Sequence, residues 1–120
     1  MEDNLRKDRE VAQIQRDNFR KAHAVGVRMA FGSDAGVMPH RTAGGQFKYM
    51  VQYGMTPIQA IQAATRNGAQ ALGRDKYVGA IAVERYADMI AVDGDPVTDV
   101  RALESVDVVI KGGVVVKGGQ

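Results

Sequence analysis

Residues 3–24 contain neither Gly nor Pro, and Leu5, Ala12 and Phe19 recur every seven positions with Val11, Ile14 and Ala22 beside them. This spacing predicts an amphipathic helix with one narrow apolar face. Its other positions are Lys, Arg, Asp, Glu and Gln, so the helix should lie on the outside of something larger. Gly26 stops it, and Val27 to Phe31 reads as a short buried strand. Residues 32–45 are rich in Gly, Ala, Ser, Pro and Thr without period, which predicts a long loop at the C-terminal end of that strand. Long ordered loops in compact domains are often functional. Phe47, Met50 and Val51 mark a short helix closed by Gly54. Next, Thr56 can cap, Pro57 suits a first helical position and Gln59 can bond back as a capping box. The helix that follows is expected to bury Ile58, Ile61, Ala64, Thr65 and Leu72 and to end at Gly73.

After residue 75 the helical period gives way to short β-branched runs. Residues 87–92, 106–111 and 114–117 read as strands, the last two joined by Gly112-Gly113, which can supply the positive φ angles of a two-residue hairpin. The chain therefore reads as α/β, with a helix-strand-helix portion at 1–75 and a β portion at 76–120.

Composition narrows what this arrangement can be. With 120 residues, the chain is the size of one ordinary domain and about half the length of an eight-stranded α/β barrel. Any barrel reading must treat it as a part. A net charge of +2 is spread along the chain, with no aromatic and basic stripe and no arginine-rich arm, so nothing supports a nucleic-acid partner. The absence of cysteine removes disulfides and thiolate metal sites and fits a reducing cytosol. No run of eighteen apolar residues exists, and MEDNLRKDRE is too charged for a signal peptide, so the expectation is a cytoplasmic chain with no membrane partner.

The candidate chemistry centres on FGSDAG, residues 31–36. Asp34 sits three residues past Phe31, where a βα strand delivers catalytic side chains. A carboxylate there can bind a divalent cation and accept a proton from water. The alternative, which this short stretch by itself favours, is that Ser33 or Asp34 merely caps a turn through its own backbone. His40, in the same loop, could reach a metal or a substrate carboxylate, or could simply be solvated. His23 falls near the end of the first helix, where a cation is favourable, and reads as structural. Asp88, Asp93 and Asp95 lack the terminal Glu of an EF-hand loop. Neither Gly44-Gly45 nor Gly112-Gly113 is followed by the Lys-Ser/Thr of a phosphate loop. The methionines read as core fillers.

Three ordered blocks, GVRMAFGSDAGVMPH, YGMTPIQAIQAATRNGAQALG and VGAIAVERYADMIAVDGDPVTDVRALESVDVVIKGGVVVK, together resemble the C-terminal part of the amidohydrolase superfamily. The resemblance looks closest to its imidazolonepropionase-like and Xaa-Pro dipeptidase-like branch. It implies a C-terminal fragment of a (β/α)8 metal-dependent hydrolase barrel, followed by part of a small β-sandwich built from both chain ends. It further implies that Asp34 is a ligand of a divalent metal, zinc as one or two ions. Asp34 would also be the general base, passing its proton to the leaving nitrogen of a cleaved C–N bond. His40 would be a substrate contact, with a small-molecule or dipeptide-like substrate.

The sequence also departs from the family pattern. Arg41 and Ala43 stand where Gly and Asn are expected, which bears on substrate specificity. Val83-Glu84 replaces a usual Pro-Gly turn, so Glu84 is expected to take a left-handed backbone at a cost on the order of 1 kcal/mol. The paired histidines, bridging lysine and later histidines of the family have no counterparts among these residues. The isolated polypeptide is therefore expected to bind catalytic metal poorly and to show little or no activity. A different class of function stays open, a non-catalytic assembly or interaction module or a truncated remnant. Its partner would be the remainder of the barrel or a second copy of the chain.

Overall fold

The structure is a computed structural model that describes residues 2–36 and 39–118; Met38 and the side chains of Leu5 and Arg41 lie outside the described residues. Helix α1 runs Glu2–Ala24. It ends as expected at Gly26, whose φ of +79° lets the amides of Gly26 and Val27 turn back to the carbonyls of His23 and Ala22 at 3.0 and 2.9 Å. Only part of its apolar face is covered. Phe19 and Ala22 are half-buried while Val11 and Ile14 are exposed. Its polar side meets the rest of the chain through the Arg16 and Arg20 guanidinium groups, 5.8 and 4.9 Å from the centre of the Tyr53 ring, and through His23 Nε2, 3.2 Å from Gln59 Oε1. This contact agrees with the structural reading of His23.

Val27 to Phe31 forms no strand and is not buried, with Val27, Arg28 and Ala30 exposed, which corrects the expectation. Among the described residues nothing lies beside it as a sheet partner. Two of its backbone groups are instead taken by a helix: the Phe31 amide donates to the Ala63 carbonyl at 3.0 Å, and Asn67 Nδ2 donates to the Met29 carbonyl at 2.9 Å. Apolar run and β-branching encode an extended backbone, but the ladder needs a second strand from elsewhere.

The loop expected at 32–45 is also shorter than predicted. Its second half, His40–Gly45, winds into a 3-10 helix, started by Thr42, whose amide and hydroxyl both donate to the Pro39 carbonyl at 3.0 and 2.7 Å. Helix α2, Gln46–Gln52, follows directly. Helix α3, Pro57–Gln62, carries the expected capping box: the Gln59 amide donates to Thr56 Oγ1 at 3.3 Å and the Thr56 amide to Gln59 Oε1 at 2.8 Å. It continues through a π-helical turn, Ala63–Asn67, into α4, Gly68–Ala71, and Gly73 at φ +63° ends it.

This helical stretch buries alanines rather than the larger residues expected. Ala60, Ala63 and Ala69 are buried, whereas Ile58 is 42% and Leu72 77% exposed. Small side chains permit close approach on one face; the larger ones stand on faces that the rest of this chain does not cover.

The β portion is a three-stranded antiparallel sheet in the order β1 (Met89–Ala91), β2 (Val108–Lys111), β3 (Val114–Lys117), with Met89 opposite Ile110 and Ile110 opposite Val115. Gly112 and Gly113 have φ of +57° and +83°, the positive pair expected of a two-residue hairpin. The Asp88 carboxylate holds the turn by accepting from the Gly112 amide at 2.7 Å and from the Lys111 ammonium. Glu84 has φ +67°, as its replacement of glycine predicts. Of the other aspartates considered for calcium, Asp95 has its carboxylate engaged locally, accepting from the Val97 amide and the Thr98 hydroxyl at 2.9 and 2.8 Å, while at Asp93 the backbone amide donates to the Asp107 carboxylate at 2.7 Å.

Acid should weaken this part first. Arg101 holds the Asp99 carboxyl down to about 2, and hydrogen bonds from Lys111 and Thr98 lower Asp88 and Asp95 from the usual 3.8. A carboxylate depressed on folding contributes stability that is present above its unfolded value and lost as pH falls through its folded value. The stability gap between wild type and Asp99→Asn should therefore close as pH falls from about 4 to about 2, read as urea midpoints. A gap unchanged across that window would contradict the assignment.

Helices and sheet meet where the His40–Gly45 turn packs on a second 3-10 helix, Val100–Glu104. A Cβ on Gly44 would stand 2.1 Å from the Leu103 carbonyl oxygen, while one on Gly45 would meet nothing within 4 Å. Lys48 and Glu104 pair across the same seam at 3.2 Å. Gly44→Ala should cost about 1–3 kcal/mol by forcing two backbones apart, and Gly45→Ala less than about 0.5 kcal/mol. Denaturant unfolding of the two variants checks this, and equal effects would refute it.

Buried apolar residues among those described are few: Met55, Ala60, Ala63, Ala69 and Val100. The accessible surface is 9026 Å² for a 12.9 kDa chain, against about 6,300 Å² for a folded monomer of that mass. The radius of gyration, 16.3 Å, exceeds the roughly 13.6 Å expected of a compact domain this long. Among the described residues, no helix is long and apolar enough to cross a membrane.

Candidate active site

Asp34 stands three residues beyond the last contact of the extended segment. Phe31 is fixed there twice, by its amide on Ala63 and by its ring, which stacks on Phe47 with centroids 5.3 Å apart. The backbone of Asp34 then turns left-handed, φ +46°, and its carbonyl accepts from the Gly36 amide at 2.8 Å. Asp tolerates this conformation better than most residues. Because the main chain makes the turn, the carboxylate is left exposed, and among the described residues it forms no hydrogen bond or ion pair. The turn-capping alternative for Ser33 or Asp34 thus has no side-chain bond to support it.

His40 opens the 3-10 helix. It lines a cleft of about 710 Å³ between helices and sheet, with Phe47, Thr65, Leu103, Glu104 and Lys117. Asp34 is not part of that lining. A second cleft, about 470 Å³, lies along α1 and stops at Gly32.

Among the described residues no three His, Cys, Asp or Glu side chains come together. The described donors do not fit a complete site; Asp34 offers one carboxylate, and one is too few. Sequence reasoning missed the π turn and the bonds it sends to residues 29–31. The available signal was Asn67-Gly68, a polar residue and a helix breaker inside an otherwise helical pattern.

A family model described as "Amidohydrolase family" matches residues 2–116. The chain belongs to the amidohydrolase family. Among its amidohydrolase relatives, the "Adenine deaminase 4" of Rhizobium meliloti (strain 1021) is 33% identical over 118 residues, which are 92% of this chain and 19% of that protein. An imidazolonepropionase of Shouchella clausii (strain KSM-K16) is 38% identical over 69 residues, 54% of this chain and 15% of that protein. The solved structure of a Xaa-Pro dipeptidase with bound methionine in the active site is 48% identical, with a TM-score of 0.82 over 86% of this chain and 25% of the other. The A. niger ochratoxinase structure has a TM-score of 0.85 at 27% identity, over 99% of this chain and 28% of the other. The chain thus spans about a quarter or less of the length of these amidohydrolases.

Proposed function

We propose that this chain is the C-terminal segment of a metal-dependent amidohydrolase that hydrolyses a C–N bond of a peptide-like or cyclic amide. In this reading residues 1–75 close a (β/α)8 barrel and residues 76–120 form part of a small β-sandwich. The observation that carries it is Asp34: an unengaged carboxylate just past a clamped extended segment, in a chain 48% identical to a Xaa-Pro dipeptidase. A prolidase structure complexed with N-methylphosphonate-L-proline, 28% identical, makes a dipeptide-like substrate the favoured class.

A divalent ion, zinc in this proposal, would supply a positive charge that polarises the attacking water once the remainder of the barrel provides further ligands. Asp34 contributes one oxygen to that site. Its carboxylate takes a proton from the water that attacks the amide carbon, then delivers it to the nitrogen as the C–N bond breaks. Proton and leaving group balance without another acid. In the complete barrel His40, which lines the cleft between helices and sheet, would contact substrate.

The competing reading, a non-catalytic assembly module whose partner is the remainder of a barrel or a second copy, draws on the surplus of exposed apolar surface. One experiment separates them: joining this chain to the remainder of an amidohydrolase barrel and assaying dipeptides and cyclic amides with added zinc. Turnover that depends on Asp34 supports the enzyme; a folded complex without turnover supports the module.

A further inference from the structure

The π turn at Ala63–Asn67 interrupts a helix that is α-helical on both sides, and π turns recur where a helix does something besides pack. Here its two ends reach out to the same short segment. The Ala63 carbonyl, at the start of the turn, accepts from the Phe31 amide at 3.0 Å. At its end, the half-buried Asn67 side chain donates to the Met29 carbonyl at 2.9 Å. A donor and an acceptor thus grip alternate backbone groups of an extended run, as a neighbouring strand would.

We propose that Asn67 is a positioning residue: with the Ala63 carbonyl it clamps residues 29–31 and thereby fixes the left-handed turn that presents Asp34. Three features point this way. The clamp ends at Phe31, so only Gly32 and Ser33 separate it from Asp34, too few residues to dissipate a shift at the anchor. Asp34 holds a φ of +46°, a conformation that costs an L residue free energy even where Asp tolerates it, so a fixed anchor helps to hold it. Finally, Asn67 Nδ2 and the Met29 carbonyl are each other's partner in a partly buried place, so removing the donor leaves the carbonyl without its protein partner. Any significance for catalysis rests on the proposed role of Asp34.

Amide hydrogen exchange at residue resolution tests the clamp in the 120-residue chain without any assay of turnover. Phe31, Gly36 and Ala60 report respectively on the clamp, on the Asp34 turn and on helix α3, whose Ala60 amide bonds to Thr56. In Asn67→Leu, which keeps bulk and loses the donor, exchange at Phe31 and Gly36 should quicken about fivefold or more while Ala60 stays within about twofold. Asn67→Gln, which keeps the donor on a longer arm, should retain protection at both. Unchanged exchange at Gly36 in Asn67→Leu overturns the proposal, and so does loss of protection at Phe31 and Gly36 in Asn67→Gln. If Asn67→Leu releases Ala60 as well, the Gln variant alone decides in the same way. Should Asp34→Asn prove harmless to turnover while the exchange pattern holds, the clamp stands and the catalytic role of Asp34 falls.

Discussion

In the reconstituted enzyme, Asp34→Asn is expected to lower kcat by about 10³-fold with thermal stability unchanged. Two facts make the variant clean. The Asp34 carboxylate has no hydrogen-bond or ion-pair partner among the described residues, so removing its charge breaks no contact that holds the fold. Asn is also tolerated in the left-handed region, so the φ of +46° can survive the change. Asp34→Ala would mix lost chemistry with backbone strain on the order of 1 kcal/mol. The Asn side chain keeps the shape but neither accepts the proton from water nor offers a charged ligand. Measuring kcat beside the melting midpoint separates the effects, and turnover within about tenfold of wild type would remove Asp34 from the proposed mechanism.

Local chemistry was the legible part of this sequence. The Thr56–Gln59 capping box, the glycine stops at 26 and 73, the Gly112-Gly113 hairpin and the left-handed Glu84 are each decided by one or two residues. Each is present in the structure. What could not be read is whatever depends on a partner. Val27 to Phe31 has the composition of a strand, yet a strand exists only when another lies beside it, and here helical residues 63 and 67 take its backbone groups. Burial failed for the same reason: Ile58 and Leu72 belong to apolar faces whose cover does not come from this chain. Of the candidate site, the position of Asp34 after an extended segment was legible from spacing. The cleft that His40 lines was not, because a fourteen-residue loop leaves the direction of each side chain open until its 3-10 half is known.

Those uncovered faces lead to the second large effect. Alone, the 120-residue chain should sediment as an associated species heavier than 12.9 kDa, bind zinc no more tightly than its Asp34→Asn variant, and hydrolyse nothing. The surface argument is quantitative: 9026 Å² is exposed where about 6,300 Å² is usual. A surplus that includes Val83 at 92% and the strand-edge valines Val114 and Val116 favours burial against another surface. The metal argument is chemical, since a single carboxylate competes poorly with water for a divalent ion. Adding a separately produced remainder of the barrel should then do three things together: lower self-association, create zinc affinity that Asp34→Asn weakens, and begin turnover. The coupling is the discriminating feature, because covering the apolar faces and completing the ligand set are the same docking event if Asp34 is one ligand of a shared site. Docking that covers the surface but leaves zinc affinity indifferent to Asp34 would favour the assembly module. A compact monomer at the outset would count against any need for a partner.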